Sequence, residues 1–219
     1  MRVVQPAGER GSLKWMQRVA NSRPALVRLE DGSEIDWVSP KQADDFAEYR
    51  DAAFLHKLGL DQLKAQLAAF WPSRGPQWDA LGKAGKRVVL VEAKAHLREA
   101  MSPPCAAGEV SRRKIEAAFS QVKADLGVTS QVDWCATFYQ YTNRLAHLWF
   151  LRQHGVNAVL LLVDFINDAD MNGPSAASEW SAFWLAADHA LGLSKRHALS
   201  RYIQHVHPDV RELAEPSTH

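Results

Sequence analysis

Val88–Val91 and Ala158–Val163 are unbroken apolar runs rich in β-branched residues and leucine. Runs of this length, bounded by turn residues, predict strands buried in a sheet. The first belongs to a segment, WDALGKAGKRVVLVEAKAH, that predicts a hairpin turning near Ala84-Gly85. The second predicts a strand over Asn157–Ile166. Upstream, Ala25–Val38 has the pattern of a β-hairpin turning at Asp31-Gly32.

Helical spacing governs most of what lies between. Ser39-Pro40-Lys41-Gln42 has the form of a helix start, with Ser39 as N-cap, Pro40 in the first helical position and Gln42 closing a capping box. Phe46, Tyr49, Ala53 and Leu58 carry that helix to Leu58, and Gly59 stops it. A second short helix spans Asp61–Phe70 and ends at Trp71-Pro72. Ile115, Phe119, Val122 and Leu126 form one stripe of a helix from Ser111 to Leu126, capped by Gly127. A long helix is expected over Val132–His154, another over Ala177–Leu191, and a short strand near Tyr202–Val206. Ser73–Gln77 and Ser102–Gly108 read as loops. The order of elements predicts an α/β domain with a mixed central sheet, residues 40–219, preceded by an extension with a hairpin, residues 1–39.

Composition narrows the function classes without choosing among them. The chain has 219 residues, 47% apolar and 23% charged, enough for one domain with its own core. A formal net charge of +1 gives no bulk attraction for nucleic acid, so any such partner must be held by a local patch. The apolar runs are too short to span a bilayer, and MRVVQPAGERGSLKW carries no apolar leader. Two distant cysteines, Cys105 and Cys135, argue against a disulfide framework, and the expected compartment is the cytoplasm. Cys135 is expected to pack within the long helix.

The chemistry gathers at the end of the first strand. Glu92 and Lys94 stand at i and i+2, so both side chains point to one face of it. A plain cross-strand pair at a sheet end would look the same. Hairpin register decides more: with a two- or four-residue loop, Asp79 falls on the face of Glu92, opposite or diagonal to it, and a three-residue loop removes it to the other face. Two carboxylates so placed suit Mg²⁺ or Mn²⁺, with the Ala93 carbonyl as an extra ligand. A neighbouring ammonium could then orient water or stabilise a phosphoryl transition state. Close carboxylates also repel, so Glu92→Gln is expected to gain stability if they are unliganded.

Asp79 followed by Glu92-Ala93-Lys94 at the end of an apolar strand resembles the D…(E)xK signature of the PD-(D/E)XK, restriction-endonuclease-like nuclease superfamily. WPSRGPQWDAL, residues 71–81, together with VEAKAH is similar to an uncharacterised bacterial branch of it. The resemblance covers roughly residues 40–170. It departs in one respect, since Trp78 rather than Pro precedes Asp79. It implies a mixed sheet flanked by helices and Mg²⁺- or Mn²⁺-dependent hydrolysis of phosphodiester bonds, with DNA the expected substrate. Asp79 and Glu92 would hold the metal, and Lys94 would position or activate water. An upstream helix would supply a further acid, here Glu48, with Asp51 and Asp45 as alternatives. A later helix would supply Gln140, whose stripe continues through Asn143, Arg144 and His147. Arg144 and Arg74 are candidates for gripping phosphate, the alternative for each being a solvated arginine. The alternative is a non-catalytic nucleic-acid-binding or assembly module of the same fold.

Two further patterns carry less. Asp168, Asp170, Asn172, Gly173 and Glu179 match a calcium-loop spacing, but a strand precedes them and Pro174 interrupts, so an Asx-rich strand-to-helix loop is expected. His205 and His207 share one strand face without a third ligand nearby in sequence.

Overall fold

The computed structural model describes residues 1–214. In chain order the elements are β1 (Arg2–Val3), α1 (Gly11–Asn21), β2 (Asp36–Ser39), β3 (Glu48–Tyr49), α2 (Ala52–Leu58), α3 (Lys64–Phe70), β4 (Ala80–Ala84) and β5 (Arg87–Lys94). They continue with α4 (Leu97–Ala100), α5 (Glu109–Leu126), α6 (Tyr139–Gln153), β6 (Ala158–Asp164), α7 (Ala177–Ala190), β7 (Ile203–Val206) and α8 (Val210–Leu213). Five strands form a mixed central sheet in the order β2-β4-β5-β6-β7, and β1 pairs with β3 in a separate antiparallel ladder. The pairs β2–β4 and β4–β5 are antiparallel, whereas β5–β6 and β6–β7 are parallel. The protein is thus α/β, with helices on both faces of its sheet.

Strand alternation sorts β5 between two cores. Val89, Val91 and Ala93 pack with Val159, Leu161, Val163 and the residues Trp15, Met16 and Val19 of α1. Val88 and Leu90 join Leu160, Leu162 and the larger core built from α2, α3, α5, α6 and α7. Glu92 and Lys94 follow in the same phase as Val88 and Leu90. They therefore enter the helical layer at the point where its apolar lining ends.

The sequence expectations need four corrections. Residues 1–39 are no appended extension: α1 covers β5, and β2 is an edge strand of the central sheet. The turn at Asp31-Gly32 exists, closed by Gly32 N–H on the Leu29 carbonyl, but the expected hairpin shrinks to one bridge between Arg28 and Glu34. No helix runs from Ser39 to Leu58. Ser39 ends β2, and Asp45, Phe46 and Asp51 take positive φ angles of 51°, 49° and 55°, which an α-helix cannot contain. Asp44 holds this reversal through Arg2 and Lys57, each at 2.8 Å. The long helix starts at Tyr139, because the Asp133 carboxylate accepts the Cys135 N–H at 2.7 Å and turns the chain first. Cys135 is buried in that turn and not in the helix.

Two acids of the Asp168–Glu179 segment, Asp168 and Glu179, are used internally. Buried Asp168 accepts Trp15 Nε1–H at 2.6 Å, while Glu179 accepts the Ser175 and Ala176 N–H groups at the start of α7. Micromolar Ca²⁺ is expected to leave the melting temperature unchanged. A rise that disappears in Asp168→Ala would contradict this, since a native-state ligand must stabilise.

Candidate active site

The β4–β5 hairpin closes through a two-residue turn, Gly85-Lys86, with Ala84 opposite Arg87 and Ala80 opposite Val91. Continued by one residue, this register sets Asp79 against Glu92 on the same face, the arrangement that shared metal binding requires. Asp79 Oδ2 accepts the Ala93 N–H at 2.7 Å, just beyond the last β4–β5 pair, which sets the carboxylate beside the backbone between Glu92 and Lys94. In a strand, the N–H and C=O of one residue point to the same side, so the Ala93 carbonyl also faces Asp79.

Glu48 arrives by another route than expected. It sits on β3, which runs beside Trp78 through a bridge from Tyr49, and not on a helix. Its carboxylate accepts Gln77 Nε2–H at 2.6 Å and Gln5 Nε2–H at 3.2 Å. The alternatives for this role lie elsewhere. Asp45 pairs with Arg2 at the surface, and Asp51 holds the Arg74 and Gly75 N–H groups.

The α6 stripe meets these strands. Gln140, Asn143 and Arg144 line one cavity of about 640 Å³ together with Glu48, Asp79, Arg74 and Arg98. Arg144, read as a phosphate ligand or a solvated arginine, instead binds Glu92, Nε to Oε2 at 2.5 Å. Its remaining donors reach the Gln77 carbonyl at 2.7 Å and Asn143 Oδ1 at 2.8 Å, and its plane lies 4.9 Å from the Trp78 ring. The other oxygen of Glu92 accepts from the Lys94 ammonium. Glu92, Lys94 and Arg144 are only 2–4% exposed, so this is a buried charged triad and not a surface pair at a strand end. His147, at the end of the stripe, departs from the cavity and packs among Phe54, Phe70, Trp71 and Trp78. Burial there pushes its imidazole down to about 3, which removes it as an acid or base at neutral pH.

Proton affinities follow from this geometry. Burial would raise Glu92, but Arg144 and Lys94 outweigh it and hold the carboxyl below its ordinary value. Burial works against the Lys94 ammonium, yet Glu92 and Asp79 raise its proton affinity. Lys94 is therefore a charged donor at neutral pH and not a base. Burial and the neighbouring charge of Glu92 lift Asp79 well above the carboxylate range. Burial lifts Glu48 to about 7, with Glu92 adding to it and the Gln77 hydrogen bond opposing.

Glu99 was not foreseen from the sequence. The α4 turn brings it back onto the cavity, where its Oε2 accepts the Ala95 N–H at 2.9 Å and its charge adds to the field at Lys94. The signal available was its place one turn after a strand end, which no periodicity marks.

Among the described residues, no group of three or more His, Cys, Asp or Glu side chains stands close enough to hold a metal ion. Each carboxylate is tethered separately, as described above. Mg²⁺ normally needs only one or two protein carboxylates and keeps its waters, so Asp79, Glu92 and the Ala93 carbonyl still match its donor preference. Asp79 and Glu48, whose proton affinities are raised, are also groups that a nearby dication would relieve. His205 and His207, by contrast, stack 6.5 Å apart, and His205 Nδ1 lies 3.2 Å from Asp164. No protein-family model, curated protein or solved structure matches this chain.

Proposed function

We propose that the chain is a metal-dependent phosphodiesterase of restriction-endonuclease-like fold, acting on DNA. One observation supports the reading: Asp79, bonded to the Ala93 N–H between Glu92 and Lys94, lines a cavity with Glu48 and Gln140, and Glu92 and Lys94 are buried beside it on β5. Asp79, Glu92 and the Ala93 carbonyl would hold Mg²⁺ or Mn²⁺. The chemistry such a cation supplies is a lowered water pKa and neutralisation of charge on the phosphoryl group. Lys94 stays protonated beside Glu92 and directs positive charge at the developing negative charge. Glu48, titrating at about 7, is matched to take a proton from the attacking water at neutral pH. Gln140 lines the cavity from the first turn of α6 and can orient that water by hydrogen bonding. For Glu92 to serve as a ligand, Arg144 or Lys94 must yield one oxygen.

That last requirement favours a second reading, a non-catalytic nucleic-acid-binding or assembly module, in which the triad is purely structural. Incubating plasmid and single-stranded DNA with the protein and Mg²⁺ or Mn²⁺, with and without EDTA, separates the two. Cleavage is expected only with metal, and Lys94→Ala is expected to lose about 100-fold or more. EDTA-insensitive cleavage, or undiminished activity in Lys94→Ala, would refute the assignment. Absence of cleavage on all DNA and RNA would leave the binding module.

A further inference from the structure

The cavity that holds Asp79 does not end at Arg74. A second cavity of about 520 Å³ adjoins it, lined by Ser73, Ser111, Ile115 and the loop Cys105–Gly108. Arg74, Ala106 and Tyr139 line both cavities and form the sill between them. Each volume is of the size that holds one nucleotide-sized ligand.

The sill is built, not incidental. Arg74 is exposed and has a φ of 66°, a conformation unusual for a side chain larger than glycine. The Asp51 carboxylate holds it there by accepting the N–H groups of Arg74 and Gly75, the latter at 2.8 Å. From the far wall, Ser102 Oγ accepts the Gln140 N–H at 2.8 Å and so fixes the 102–108 loop to the start of α6. A guanidinium, an aromatic side chain and two concave spaces therefore alternate along one track. Among the described residues, Arg74 is the only charged one that lines the second cavity, whereas the first also carries Glu48, Asp79, Glu99, Arg98 and Arg144.

We infer that this track binds single-stranded DNA, with the phosphate between two successive nucleotides on Arg74 and a base against Tyr139. This deepens the reading above and rests on it for the choice of nucleic acid. The physical reason is shape. Duplex DNA keeps its bases stacked and paired inside and offers a convex, regularly charged backbone, whereas two adjoining concave pockets need nucleotides that can be splayed apart. An aromatic face and a cation accept any base and any phosphate, which fits binding to strand form and not to sequence.

The test is fluorescence anisotropy in EDTA, so that cleavage does not intrude. The probes are a labelled oligothymidylate of about 12 nucleotides and its duplex with oligoadenylate. Single strand is expected to bind about tenfold or more tighter than duplex. Arg74→Glu is expected to weaken it about tenfold and to flatten its salt dependence. Ser111→Trp fills the second cavity alone and should weaken single-strand binding to a similar extent, and Ala106→Trp, in an exposed loop position, should do the same. Melting temperatures close to wild type certify that these variants fold. Equal or tighter binding of duplex, no binding of either probe, or unchanged affinity in the folded Ser111→Trp and Ala106→Trp variants would overturn the proposal. Metal-dependent cleavage confined to duplex would also overturn it while leaving the phosphodiesterase reading intact. Tight single-strand binding without cleavage would do the reverse.

Discussion

Glu92→Gln is expected to abolish metal-dependent cleavage and, against the first expectation from sequence, to destabilise the fold. A gain of stability was expected because unliganded carboxylates repel, but Glu92 is not unliganded by protein: Arg144 and Lys94 each take one of its oxygens. Glutamine keeps the shape and discards the charge, leaving an ammonium and a guanidinium buried together. Removing one partner from a buried ion pair costs about 3–5 kcal/mol, and relief of repulsion on Asp79 and Glu48 returns part of it. A net loss of about 3 kcal/mol corresponds to a fall in Tm of roughly 6–12 °C for a domain of this size. Thermal unfolding of the metal-free protein measures it directly. A Tm at or above wild type would mean that the triad is not the ion pair described.

Glu48→Gln is expected to stabilise the protein at high pH and to do nothing at low pH. The Glu48 carboxyl titrates at about 7 when folded, against an ordinary 4.5. The folded state thus holds a proton that the unfolded chain has already lost between these values, and stability falls as pH rises through this window. A shift of that size is worth about 3 kcal/mol, fully expressed above pH 7 and absent below 4.5. His147 acts in the opposite sense. Its imidazole is pushed down to about 3, so the folded state resists a proton that the unfolded chain accepts below 6.5, and stability rises with pH over part of the same range. Total stability is therefore a poor readout, and the difference between wild type and Glu48→Gln is the proper one. Denaturant titrations at pH 4.5 and pH 8 should show no difference at the first and a gain of about 3 kcal/mol for the variant at the second. A pH-independent difference would place the Glu48 titration outside this interval. If Mg²⁺ restores wild-type stability at pH 8 but leaves the variant unchanged, Glu48 also senses the cation.

The hairpin was legible from its turn residues and period-two alternation, but two loop lengths put Asp79 either opposite or diagonal to Glu92, and only the structure's Gly85-Lys86 turn chooses between them. The stripe Gln140, Asn143 and Arg144 was legible for the same kind of reason, a fixed period on one helix. What failed depends on partners far away in the chain. The helix expected from Ser39 obeyed every local rule, but Arg2 lies 42 residues from the Asp44 it binds, and no local window contains both. Arg144 read as a phosphate ligand or a solvated side chain because its partner, Glu92, stands 52 residues earlier. The start of α6 was lost to one carboxylate, Asp133, outcompeting helical hydrogen bonds. Helix α1 passed unread although Trp15, Met16, Val19 and Ala20 recur at helical spacing, a pattern that was present to be found.

The two-residue ladder between β1 and β3 has a kinetic side. Asp79, Glu92 and Lys94 are anchored to β4 and β5, whose amides bond within a sheet covered on both faces. Glu48 sits on a ladder of two residue pairs, Arg2 with Tyr49 and Val3 with Glu48, joined to the rest of the fold by one bridge from Tyr49 to Trp78. In amide exchange with heavy water, β5 and β6 should belong to the last unit to open and β3 to one of the first. On that expectation, the acid that titrates near neutrality is carried on the less protected part of the wall. Entry to the cavity can then proceed by local fraying at Glu48, on its own timescale, with the central sheet closed throughout.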